Sequence, residues 1–208
     1  PTNTMSNNLV INNGCMFFGG GVCCIRSFPK LSNFTICNNV SAYGGGFYCN
    51  DSAAPSMYNS IIWDNSGLGA SVYIWDVNSA PSFYHCNIMG DTAGFEGSGA
   101  HQGYKGEYLN NINTDPMLET QMEPRYMPMP GSPCINTGTP DPGFLNLPPY
   151  DLDGMARIWD FRIDMGAYEF ALANIPKQIK SDKLTVFPNP STEKFKFSLK
   201  NPGNEKIT

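Results

Sequence analysis

Charge is scarce in this 208-residue chain: Asp, Glu, Lys and Arg make up 15% of it and the formal net charge is −5, whereas about a quarter of an ordinary soluble domain is charged. A weakly acidic surface of this kind repels a phosphate backbone, so no nucleic-acid partner is expected. Long apolar runs are also missing. No stretch approaches the ~18 residues that span a bilayer, so no transmembrane segment is expected. The opening PTNTMSNN has neither the basic stretch nor the apolar core of a signal peptide. The chain starts on Pro1 rather than Met, and we expect a piece of a longer protein whose export signal lies elsewhere. Seven cysteines (Cys15, Cys23, Cys24, Cys37, Cys49, Cys86 and Cys134) show neither the CxxC spacing of a zinc site nor the density of a disulfide scaffold. Most are expected as small buried hydrophobes.

What the chain has in excess is backbone punctuation, with 21 Gly and 17 Pro. Each disfavours a helix interior, by about 1 and 3 kcal/mol relative to Ala, and the aromatic content of 12% also leans toward strands and turns. An all-β fold is therefore expected. Hydrophobic residues at 41% suffice for a core.

The first half repeats. Segments beginning GGGVCC at Gly19, GGGFYC at Gly44 and GASVYI at Gly69 start 25 residues apart, and Pro29, Pro55 and Pro81 fall 26 apart. Within each unit apolar residues alternate with a strand period. Val22 and Cys24, Phe47 and Cys49, Val72 and Ile74 take the same two inward positions. Leu31, Met57 and Phe83 align after the prolines, as do Ile36, Ile62 and Ile88, with Val10 before them. Units of this length, with short strands parted by Gly and Asn, predict a parallel solenoid in which like residues stack in columns. Asn7, Asn33 and Asn59 share a column ending in His85, and Asn12 and Asn38 share one continuing as Asp64. Asn tolerates left-handed backbone, so both columns are read as turn ladders rather than binding rows.

The rhythm of residues 7–91, followed by TDPMLE at Thr114, GSPCINTG at Gly131 and DLDGMARIWDFRIDMGAYE at Asp151, resembles the right-handed parallel β-helix repeats of secreted bacterial proteins, the pectin-lyase-like fold. The resemblance implies β-helix coils over 1–113 and the C-terminal part of that domain over 114–170. A polar, Lys-rich linker is expected over 171–183. After it, LTVFPNPSTEKFKFSL from Leu184 is similar to the opening of the β-sandwich sorting domain recognised by type IX (Por) secretion. Residues 184–208 would then be an incomplete sorting domain. That implies a Bacteroidota-type origin, passage through the type IX machinery and delivery to the outer surface or the medium. DSA at Asp51 and DTA at Asp91 resemble Bacteroidota O-glycosylation acceptors at Ser52 and Thr92.

One strip of residues is read as a candidate site. Tyr48 and Tyr73 align between inward positions and are expected to face solvent, Asn50 aligns with Trp75, and Arg26, Asp51 and Asp76 form a column at spacing 25. Aromatic faces stack on sugars, and two carboxylates ~4.8 Å apart on adjacent coils can hold Ca²⁺. The alternative is an aromatic ladder and a surface ion pair that only decorate the sheet. A second metal candidate is DLDG, where Asp151 and Asp153 begin what looks like a calcium loop without its later ligands; Arg157, Arg162, Asp164 and Glu169 nearby are read as an ion-pair network covering the last coil. The expected function is carbohydrate or host-material binding without catalysis in this stretch. The alternative is a polysaccharide lyase or glycoside hydrolase of the same fold with active coils upstream. The strip lacks a second base for the lyase, and its carboxylates are too close for an inverting hydrolase.

Overall fold

The computed structural model describes residues 3–122, 126–158 and 162–170. The chain divides into Pro1–Gln178 and Ile179–Thr208; the linker and sorting-domain expectations, residues 171–183 and 184–208, lie outside the described residues.

Residues 4–109 wind through about four turns of a parallel β-solenoid. The first turn holds β1 (Thr4–Ile11), β2 (Gly14–Phe18) and β3 (Val22–Ile25). The second repeats it as β4 (Lys30–Cys37), β5 (Val40–Tyr43) and β6 (Phe47–Asn50). The third has β7 (Ser56–Tyr58), β8 (Ile61–Trp63), β9 (Ser66–Leu68) and β10 (Val72–Ile74). The fourth begins with β11 (Ser82–Tyr84) and β12 (Asn87–Ile88), then leaves the pattern through a 3-10 turn (Thr92–Gly94) and the four-residue helix α1 (Ser98–His101) before β13 (Tyr108–Leu109). All pairings among these strands are parallel, and they sort into three sheets. One joins β1, β4, β7, β8, β11, β12 and β13; the second is β2, β5 and β9; the third is β3, β6 and β10.

The columns read from the sequence are the registers of these sheets. Val10, Ile36, Ile62 and Ile88 are successive partners, as are Met5, Leu31, Met57 and Phe83, and in the third sheet Cys24, Cys49 and Ile74. From the second turn on, these side chains are buried inside the coil. Burying each apolar side chain contributes ~1.5–3 kcal/mol, which sets the register: a one-residue slip would expose a whole column. The Asn columns are corners. Asn7, Asn33, Asn59 and His85 all have φ between 49° and 56°, and so have Asn12, Asn38 and Asp64. The first column kinks the large sheet in mid-strand, and the second closes it. The glycine segments mark the corner between the other two sheets. A Cβ on Gly45 would lie 2.2 Å from the Ser66 carbonyl oxygen of the next coil, so the coils touch there through backbone alone.

The described residues between 114 and 170 add no coil. They form a largely irregular strap along the outer face of the large sheet, meeting it from the fourth turn to the first. Asn87 Nδ2 donates to the Thr114 carbonyl at 2.7 Å, the Thr139 amide donates to Asn59 Oδ1 at 2.7 Å, and the Ala167 amide donates to Thr35 Oγ1 at 2.9 Å. Arg157 reaches Asn7 of the first turn. Beneath the strap lies a second apolar cluster of Cys37, Ile61, Tyr126, Cys134 and Met165. Strands covered on both faces carry apolar residues on both, which is why β8 reads Ile-Ile-Trp without alternation.

Candidate functional site

The candidate strip lies along the third sheet. Cys23, Tyr48 and Tyr73 are register partners on its outer face, with Ile25 and Asn50 one step along. Outward does not mean exposed here. Tyr48 is 1% and Tyr73 9% accessible, because Phe18 and Tyr43, which end β2 and β5 just before the glycine corner, fold over them. The ring centroids of Phe18 and Tyr48 are 5.0 Å apart, those of Tyr43 and Tyr73 5.3 Å, and the two sheet tyrosines stack on each other at 6.0 Å and 13°. Burial pushes the Tyr48 phenol up to about 12. The expectation of two solvent-facing tyrosines is therefore corrected: their faces are covered by neighbouring rings.

Trp75 beside them stays accessible, at 42%. Its indole is gripped edge-on by Phe18 at 5.6 Å and 82° and by Tyr43 at 5.8 Å and 88°. This fixes a broad apolar surface at the rim of the corner. Phe17 and Phe18, both exposed, extend the patch toward the first coil. The signal for Phe18 and Tyr43 was present in the sequence, since each immediately precedes a glycine segment at spacing 25.

The charged column sits at the end of the same strands. Arg26 and Asp51 share a left-handed corner, φ 44° and 58°, and form an ion pair at 2.5 Å. Both side chains are well exposed, so the pair contributes ~0–1 kcal/mol. Asp76 faces inward to the turn instead. Its Oδ1 accepts from the amides of Asn78 and Ser79, and its Oδ2 from the Ser79 hydroxyl at 2.7 Å and the Asp51 amide at 2.8 Å. Desolvation raises its pKa, but these hydrogen bonds outweigh it and hold the carboxyl below its ordinary value. The two carboxylates stand on adjacent coils without converging: one faces Arg26, the other is saturated by its own turn and the Asp51 amide. A Ca²⁺ placed there would have to displace four donors.

DLDG is built the same way. Asp151 Oδ1 accepts from the amides of Asp153 and Met155, both at 2.8 Å, and Oδ2 accepts from the Glu169 amide at 2.8 Å. The carboxylate is buried as the hub of a turn. Arg157, also buried, pairs with Glu169 at 2.7 Å and places Nε and Nη2 on Asn7 Oδ1. Asp164 accepts from the amides of Asn136 and Phe170. This network seals the strap against the corner of the first turn, which corrects the expectation that it covers the last coil. Arg162, by contrast, does lie against the fourth turn, donating to the Gly138 and Thr137 carbonyls beside His85. Among the described residues no group of three or more His, Cys, Asp or Glu is arranged to hold a metal ion.

A second aromatic row lies on the large sheet, where Tyr58 and Tyr84 stack at 4.7 Å and 11°, Phe144 of the strap packs edge-on at 5.4 Å, and Lys30 sits over Phe144. Here too the ring faces are turned to one another. Ser52 and Thr92 are both exposed, at a corner and at the start of the 3-10 turn.

No protein-family model, curated protein or solved structure matches this chain.

Proposed function

We propose that the chain belongs to a secreted or cell-surface protein with a right-handed β-helix, exported by type IX secretion, and that its solenoid binds carbohydrate without catalysis at the rim formed by Trp75, Phe17 and Phe18. The observation that supports this most directly is Trp75 itself. A large indole is left accessible and is held by two rings that meet it nearly at right angles, so it is offered at little entropic cost to a flat apolar sugar face. Arg26 and Asp51, two and one coils away in the next column, supply exposed hydrogen-bonding groups for ring hydroxyls. The role for the type IX machinery rests on the PNP-containing segment from Leu184.

Immobilised plant, bacterial and animal polysaccharides test this reading. The wild-type protein should be retained on at least one, and Trp75→Ala should lower retention about tenfold while leaving the circular dichroism spectrum unchanged, since a rim residue contributes little to core burial. Calcium should not alter retention, because the Asp76 carboxylate already accepts four hydrogen bonds and the Asp51 carboxylate is paired with Arg26. Absence of any wild-type retention, or retention indifferent to Trp75→Ala, removes the rim as a site.

A further inference from the structure

The two ends of the solenoid differ. At the far end Phe95, following the 3-10 turn, packs on Phe83 at 5.6 Å, and Tyr104, Tyr108 and Ala100 of α1 close over the core. At the near end the core is open among the described residues. A cavity of about 810 Å³ enters between the first and second turns, lined among others by Met5, Val22, Cys24, Leu31 and Phe34. Leu31 and Phe34 belong to the main core itself. Of the residues lining it, Met5 is 49% and Phe28 58% accessible. Among the described residues β1 pairs only with β4, β2 only with β5 and β3 only with β6. Each therefore presents one unpaired edge, a ready template for another strand.

We propose that this open end is a docking surface for one further parallel coil of the same repeat, laid in register on β1, β2 and β3. The buried asparagines define what such a coil supplies. Asn39 Nδ2 donates to the Val10 carbonyl of the coil before it, and Asn65 Nδ2 to the Ile36 carbonyl of the coil before it, each at 2.9 Å. Asn13 stands in the same column, and its amide already bonds Asn39 Oδ1 on the following side; the carbonyl of a preceding coil is the partner it lacks. The occupant is thus a three-strand coil with apolar side chains in the Met5 and Val22 columns and a carbonyl facing Asn13. It continues the interface that already repeats between the coils. A second copy fits less well. Head to tail, its far end has a closed core. Head to head, it must run antiparallel, against the parallel pairing of every strand in the solenoid.

The test grafts the protein's own second coil onto the opening. Thr4 is the register partner of Lys30 and Lys30 that of Ser56, so a copy of Lys30–Ala54 placed directly ahead of Asn3 falls into register. The graft should raise the melting temperature, abolish binding of a hydrophobic dye and slow hydrogen exchange of the β1–β3 amides by about tenfold or more. A grafted segment that is trimmed by protease as a free tail, with β1–β3 exchange unchanged, overturns the proposal. If the fusion fails to fold, a synthetic peptide of residues 30–54 is added in excess to the unmodified protein: slowed β1–β3 exchange supports the proposal, and unchanged exchange overturns it. A stable dimer of the unmodified protein by light scattering, with β1–β3 already protected, also overturns it in favour of a second copy.

Discussion

Asn39 concentrates more hydrogen bonding than any surface residue of the solenoid. Its Oδ1 accepts from the backbone and side-chain amides of Asn13, its Nδ2 donates to Val10, and its own amide donates to Asn65 Oδ1 at 3.0 Å. Replacing it by Ala leaves the residue 39 amide on Asn65 but strands the Asn13 amides and the Val10 carbonyl of the first coil, and each buried orphan costs about 1–3 kcal/mol. Asn39→Ala should therefore lose about 2–4 kcal/mol in urea unfolding, whereas Asn12→Ala, an exposed corner at φ 56°, should lose only the ~1–2 kcal/mol of left-handed strain. Equal losses would mean that the ladder contributes no more than the corner. The buried acids act in the opposite sense to surface ones. Burial and then the charge of Asp164 push Glu169 up to about 8, against the pull of Arg157, and burial pushes Asp164 up to about 6. Two buried carboxylates, Asp164 and Glu169, stand near one guanidinium, so native protein binds protons that unfolded chain has released. Their contribution is complete below about pH 4 and is lost as pH rises through 6 and then 8. The melting temperature should accordingly fall between pH 5 and pH 8.5, and Glu169→Gln should flatten the upper part of that fall. A melting temperature that rises across this window would refute the assignment.

At the scale of elements, the third sheet makes a prediction about its thiols. Cys24 and Cys49 are inward register partners, both buried, while Cys23 and Cys15 are exposed. Burial holds the Cys49 thiol well above its ordinary range. Native protein should therefore label at two cysteines with a maleimide, and at all seven only in denaturant; labelling of Cys24 or Cys49 in native protein would displace the inward register. This sheet was legible in the sequence because two-residue alternation and a 25-residue spacing both point inward at the same atoms. The large sheet was legible only by half. Its inner columns were found, but Thr35, Ile61 and Asn87, which face the strap, could not be told from surface positions, because the segment that covers them lies far along the chain and has no period of its own. The same limit hid the covering of Tyr48: alternation says which side of a sheet a residue faces, and nothing about the neighbouring sheet's rings arching over it. Asp51 and Asp76 do stand on adjacent coils, yet Asp76 is occupied by turn amides, which residue identity alone does not specify.

For the whole molecule, the strap changes the physics of a repeat. A solenoid whose coils touch only their neighbours unfolds piecemeal from its weaker end, and among the described residues the first turn, with three unpaired edges and an open core, is the weaker end. The strap ties it to distant coils: Arg157 bonds Asn7 across 150 residues of chain, Asp164 and Gly166 accept from Asn33 Nδ2, and Thr139 bonds Asn59. Fraying of the first turn must therefore break contacts that also hold the second and third, which couples the array into one unit. Arg157→Met tests this coupling. It leaves the sheets untouched but removes the buried partner of Glu169 and the bonds to Asn7, a loss of about 1–3 kcal/mol for each buried group left unsatisfied, and Arg157→Met with Glu169→Leu removes the unpaired carboxyl without restoring the bond to Asn7. In both variants hydrogen exchange across β1–β3 should approach that of a frayed terminus while β6 and β10 keep their protection, and the urea transition should broaden or split. If the double variant instead retains a single sharp transition with wild-type protection in β1, the first turn is held by strand pairing alone and the strap is only a cover.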